Sequence, residues 1–169
     1  FADDAVRSNA KIPNRNINVL EYIHRQPGFA GKVAGFATWD VMEFILNRQR
    51  SALPLQTGWT EIIDAPLTPN QQQINDLVRD LPRLWPGNVY DVVTFRAAQE
   101  YVRKHQPRVL YIGLGETDEW AHARRYDLYL EAAHRGARYL RELWEFLQSM
   151  PQYQGKTALV LTTDPGRGL

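Results

Sequence analysis

Residues Arg108–His122 read RVLYIGLGETDEWAH. Val109, Leu110, Tyr111 and Ile112 form a short apolar run between Pro107 and the pair Gly113 and Gly115. A run this rich in β-branched and aromatic residues predicts a buried strand. Its carboxyl end then turns abruptly polar, through Glu116, Thr117, Asp118, Glu119 and His122, before a strongly helical segment. Open α/β sheets place their ligands where a strand hands a polar cluster to the start of a helix. Asp118 and His122 are four residues apart, so a helical turn puts both side chains on one face. A carboxylate and an imidazole so placed can share one metal ion. The plainer alternative is a capped helix start, with Thr117 as N-cap and Asp118 and Glu119 favoured by the helix dipole.

Working outward, Thr157–Asp164 (TALVLTTD) is a second apolar run ending in a carboxylate, followed by Pro165, Gly166, Arg167 and Gly168. It predicts a second strand that delivers Asp164 to the edge where Asp118 lies. Lys32–Thr38 (KVAGFAT) predicts a third, with Asp40 just past its end. The simpler role for Asp40 is to cap the helix expected over Val41–Leu46. Asn18 ahead of Val19, Leu20, Tyr22 and Ile23, with Glu21 three residues on, is an N-cap pattern for a short helix that ends by Pro27-Gly28. Val92, Phe95, Ala98 and Val102 predict the inner face of a helix reaching about His105. Tyr126, Leu130, Ala133, Ala137, Leu140, Trp144 and Leu147 predict a long amphipathic helix whose stripe is core. His24 and His105 fall near helix ends, and His134 lies inside the long helix, away from the Asp118–His122 turn. Alternating strands and helices with right-handed crossovers give a three-layer α/β/α fold with a mostly parallel central sheet.

Between Ser51 and Asn88 the pattern is broken by Pro54, Pro66, Pro69, Pro82 and Pro86. Only Gln71–Arg79 reads as a helix there, with Thr68 or Asn70 as cap. The 51–88 segment is expected to be an insertion or lid over the carboxyl edge, close to Asp118, with Trp59 and Trp85 anchoring it to the body.

A length of 169 residues matches one domain spanning 1–169. Hydrophobic residues make up 44% and charged residues 23%, as in ordinary globular proteins. A formal net charge of +1 gives no electrostatic case for nucleic acid as a partner. No apolar run approaches the length of a membrane span. The absence of cysteine excludes disulfides and thiolate chemistry but leaves the compartment open. The amino terminus has neither a signal-peptide pattern nor an initiating Met, so the chain is expected to begin inside a larger one.

The run Gly115-Glu116-Thr117-Asp118-Glu119-Trp120-Ala121-His122, with Thr162-Thr163-Asp164-Pro165-Gly166-Arg167-Gly168 downstream, resembles the alkaline phosphatase superfamily. The likeness is to its bacterial phosphodiesterase-, sulfatase- and phosphoglyceromutase-like branch, and it extends through Asn14–Glu21 and Lys32–Asp40. It implies an alkaline-phosphatase-like fold and a periplasmic or secreted protein, with a cytoplasmic one left open. It also implies a hydrolase of small phosphate or sulfate esters working through two divalent metal ions, zinc or alternatively manganese. By the resemblance, Asp118 and His122 bind one metal and Asp164 the other. The Ser or Thr nucleophile and one metal-binding Asp would lie before Phe1, and a further His after Leu169. Two ions about 4 Å apart stabilise both the attacking and the leaving oxygen of such a transfer. The family pattern Asp-His-Gly reads Asp164-Pro165-Gly166 here, and proline offers no ligand. That departure fits either a segment missing after Asp164 or a homologue whose second metal site is lost. A non-catalytic binding or structural domain and a phosphoglyceromutase-like phosphotransferase are the alternatives in function.

Overall fold

The structure is a computed structural model and describes residues 8–163. Asn18 caps the first helix, α1 (Val19–His24), its side chain accepting from the Glu21 amide. Strand β1 (Val33–Ala37) follows, then the short helices α2 (Met42–Ile45) and α3 (Arg48–Ser51), and strand β2 (Leu55–Thr57). Helices α4 (Pro69–Asp80) and α5 (Asp91–His105) lead into β3 (Val109–Gly113), and then come α6 (Glu116–His122) and α7 (Tyr126–Gln148). The sheet is parallel throughout, in the order β2-β1-β3, with Val33 opposite Val109 and Ala37 opposite Gly113. The chain divides into two compact units, with the boundary after Gly136. None of the described helices is long and apolar enough to cross a membrane.

Alternation along β1 places successive side chains on opposite faces of the sheet. Ala34 and Phe36 pack with Ile74 and Val78 of α4 and Val93, Ala97 and Ala98 of α5. Val33 packs on the other face with Leu20 of α1 and with Leu46, Leu53 and Leu55. β3 divides in the same way, Leu110 and Ile112 toward the first cluster and Val109 and Tyr111 toward the second. Helices therefore cover both faces of β1, whose residues are all buried, and the layers of an α/β/α sandwich are in place around it. Gly35 allows β2 to come this close: a Cβ there would lie 2.7 Å from Leu55 Cδ2.

Several expectations are corrected. Thr157–Thr163 forms no strand, and Leu159, Val160 and Leu161 are exposed. Apolar β-rich composition expresses a preference for a pleated, half-buried surface, and without a neighbouring strand that preference has no ladder to act through. β2 is the third strand instead, on the far side of β1. At three residues, directly after Pro54, it is too short to show a period. Asp164 lies outside the described residues. On α7 the buried positions are Ala132, Tyr139, Leu143 and Leu147, while Tyr126, Leu130 and Trp144 of the expected stripe are exposed. This helix is apolar on more than one face, so periodicity alone does not select the covered one. Val93 replaces Val92 on the inner face of α5 for a similar reason.

The 51–88 segment runs to both ends of the sheet. Thr68 begins α4 with a full capping box involving Gln71. Ahead of it, Asp64 accepts from His105 Nε2 at 2.6 Å and from Gln71 Nε2 at 3.1 Å, while Lys104 Nζ lies 3.0 Å away. These contacts tie the middle of the segment to the last turn of α5, at the amino edge. Burial raises the Asp64 pKa, but the hydrogen bonds from His105, Lys104 and Gln71 outweigh it and hold the carboxyl below its ordinary value.

Glu21 is fully buried at the α1–α3 contact, where Arg50 grips it with Nε and Nη2, each at 2.9 Å, and Arg25 adds a bond at 2.5 Å. The Arg50 hydrogen bond holds the Glu21 carboxyl below its ordinary pKa, against burial. A depressed carboxylate stabilises the fold above its unfolded pKa and loses that contribution as pH falls through the lower folded value. Glu21→Gln is therefore expected to lower the urea midpoint at pH 7, with the gap to wild type closing as pH falls below the ordinary carboxylate range, followed by tryptophan fluorescence.

Candidate functional site

The carboxyl ends of β1 and β3 share an edge, joined there by Thr38 N donating to Gly113 O at 2.9 Å. Gly115 permits this approach, since a Cβ on it would lie 2.5 Å from Thr38 Oγ1. The 51–88 segment meets the same edge twice, directly after β2 and again at its carboxyl end. Gly58 N donates to Ala37 O at 3.0 Å and Asp40 N to Gly87 O at 2.9 Å. Gly58 has φ +54°, and a Cβ there would meet Asp40 Cβ at 2.7 Å, so glycine answers both the backbone and the space. Trp59 Nε1 donates to Trp85 O, both rings pack on Tyr90, and Trp85 stands edge-on to Trp120 of α6 at 4.9 Å. Asn88 Nδ2 donates to Glu119 Oε1. The two tryptophans thus anchor the segment as expected, and its Trp85–Asn88 end lies beside the helix that carries Asp118.

Asp118 and His122 project from α6 with Oδ2 and Nε2 3.3 Å apart, and their side chains are 63% and 64% exposed. The spacing is informative. A tetrahedral zinc with bonds of about 2.0–2.1 Å to oxygen and nitrogen holds neighbouring ligand atoms about 3.3–3.4 Å apart. The pair therefore already stands at the length of one edge of that tetrahedron. Among the described residues no group of three or more His, Asp or Glu side chains is arranged to hold a metal. The donor set present fits two positions of one ion, and the rest would come from elsewhere or from water.

Asp40 reaches the same edge but does not cap α2, whose N-cap is Val41 without a side-chain bond. Its Oδ2 instead accepts from Lys11 Nζ at 2.6 Å, and its Oδ1 is buried without a partner. The cation that claims Asp40 comes from 29 residues away, beyond the reach of a local capping rule. His134 is exposed on α7, beside Leu130, Glu131 and Arg135 in a shallow depression.

Sequence reasoning missed the residues beneath the pair. Thr117 is not the N-cap of α6. That position is Gly115, which offers no side-chain bond. The cap comes from Asp91, whose Oδ1 accepts from Gly115 N at 2.8 Å and Glu116 N at 3.2 Å. Glu116 returns the service: its Oε1 accepts from Asp91 N at 2.9 Å and its Oε2 from Arg135 Nη2 at 2.5 Å. Both carboxylates are buried, Asp91 2% and Glu116 5% exposed. Each sits in a first helical turn, where acidic residues are common for local reasons. Nothing local marks them as partners 25 residues apart.

Burial, then the nearby Glu116 charge, push the Asp91 carboxyl up to about 6, against the two amides and Arg135. A carboxyl raised on folding favours the folded state below its unfolded pKa, and that advantage is lost as pH rises through the folded value. Wild type is therefore expected to lose up to about 3 kcal/mol of stability between pH 4 and 7 from this group. Asp91→Asn, a permanently uncharged stand-in that keeps the accepting oxygen, should flatten that part of the profile in urea titrations across the range.

Family models, curated proteins and solved structures were all compared with the chain, and none matches.

Proposed function

We propose that this chain is part of a metal-dependent hydrolase of phosphate or sulfate esters, with the three-layer architecture and site placement of the alkaline phosphatase superfamily. The observation that carries the reading is the Asp118–His122 pair, set at a zinc-edge spacing of 3.3 Å where β3 hands over to α6. Asp118 supplies an anionic oxygen and His122 a neutral nitrogen, a donor set that suits zinc and tolerates manganese. Asp164 is proposed as a ligand of a second ion, and the Ser or Thr nucleophile as a residue preceding Phe1. When bound, divalent ions neutralise charge on the ester oxygens and favour deprotonation of the attacking group. The chain's own residues have three tasks in this reading. Asp118 and His122 hold the ion, the Trp85–Asn88 end of the 51–88 segment flanks the substrate side, and the exposure of the pair leaves an anionic ester access from solvent. Pro165 directly after Asp164 favours a second reading, a binding domain on the same fold with one degraded metal site.

The intact protein, with the proposed upstream nucleophile, is expected to hydrolyse 4-nitrophenyl phosphate or sulfate, to lose that activity with a chelator and to regain it with zinc. His122→Ala should raise the zinc concentration needed for half-maximal activity by at least about tenfold while leaving the melting curve near wild type, because the imidazole faces solvent. Chelator-resistant turnover, or an unchanged zinc requirement in the variant, contradicts the hydrolase reading. Zinc binding without turnover selects the degraded-site reading.

A further inference from the structure

Helix α6 has only seven residues and no cap from its own side chains, so it has little stability of its own. Its orientation must be imposed from outside. At 3.6 residues per turn, Asp118 lies ~200° around the axis from Glu116 and His122 ~240°. Turning Glu116 inward therefore turns both candidate ligands outward, as their exposures of 5%, 63% and 64% record. What holds Glu116 inward is specific. One oxygen takes the Asp91 amide at the start of α5, and the other takes Arg135 of α7. Asp91 secures the same turn from the opposite direction through the Gly115 and Glu116 amides. α5 has no side-chain cap of its own either, since Tyr90 stands at its N-cap position. Each helix thus starts on the other's carboxylate.

We propose that Glu116, clamped by Arg135 and by the reciprocal bonds with Asp91, is the positioning residue that sets the rotation of α6 and with it the direction in which Asp118 and His122 face. The inference rests on the metal-site reading above and adds residues to it that touch neither metal nor substrate. Outer contacts that orient ligands commonly change metal affinity by 10- to 100-fold, roughly the range expected for this clamp. Arg135 is the better handle of the two, since Glu116→Ala removes a buried group on which the start of α5 also depends.

The test uses the protein with cobalt(II) as a visible probe, together with zinc calorimetry and far-ultraviolet circular dichroism. Arg135→Met and Glu116→Ala are expected to weaken zinc binding about tenfold and to shift or bleach the cobalt d–d bands, which report ligand geometry. Helical content should be retained in Arg135→Met. Arg135→Lys, which keeps a donor for Glu116, should recover most of the affinity and the wild-type band shape. His122→Ala separates the two claims. If it abolishes binding while Arg135→Met and Glu116→Ala keep wild-type affinity and spectrum, the positioning role is overturned and the metal site stands. Should His122→Ala bind zinc as wild type does, the metal reading fails and the positioning role fails with it. If Glu116→Ala does not fold, the contrast between Arg135→Met and Arg135→Lys decides: equal affinity and identical bands in the two overturn the proposal.

Discussion

Two helices that begin on each other's carboxylates hold the carboxyl edge of this sheet together. The Asp91 side chain accepts the first amides of the β3–α6 turn, and the Glu116 side chain accepts the first amide of α5. Both groups are buried, so each would cost several kcal/mol if left unpaired. The reciprocal arrangement supplies acceptors for orphan amides and donors for buried oxygens in one place. Arg135 balances part of the charge through Glu116 Oε2. Burial, and after it the Glu116 charge, raise the Asp91 pKa against Arg135 and the two amides. Everything exposed on α6, including the Asp118–His122 pair, takes its direction from this contact.

Around it the 51–88 segment acts as a strap. Gly58 and Trp59, just past β2, and Trp85–Asn88 at its end lie on the carboxyl edge. Its middle is fastened at the amino edge by Asp64, His105 and Lys104. The aromatic contacts from Trp59 through Tyr90 and Trp85 to Trp120 connect the strap to α6 directly. The strap thus packs directly against the helix that presents the candidate ligands. Contact with one face of α6 and clamping of another leave the Asp118–His122 face open.

The parts of this arrangement legible in the sequence are those decided within one turn or one strand. The apolar runs VAGFA and VLYIG foretold strands, and Asn18, and Thr68 as one of two candidates, foretold the starts of α1 and α4, because each cap reaches only three residues. The placement of Asp118 and His122 on one helical face followed from their spacing alone. What escaped depends on partners distant in sequence. Asp40 pairs with Lys11 instead of capping α2, Asp91 supplies the cap for which Thr117 was the plainer candidate, and α7 buries the face that its surroundings cover. The TALVLTT run illustrates the same limit: strand propensity without a strand beside it leaves Val160 83% exposed.

The central claim is that α6 is held so that Asp118 and His122 present one edge of a metal coordination sphere. The most direct measurement is anomalous diffraction at the zinc absorption edge, from crystals of the protein grown with zinc. The account predicts a zinc peak about 2.0–2.2 Å from both Asp118 Oδ2 and His122 Nε2, with Glu116 still bound to Arg135 and to the Asp91 amide. A fully occupied zinc elsewhere with none between these two side chains, or His122 turned away into the apolar side of the helix, would contradict it.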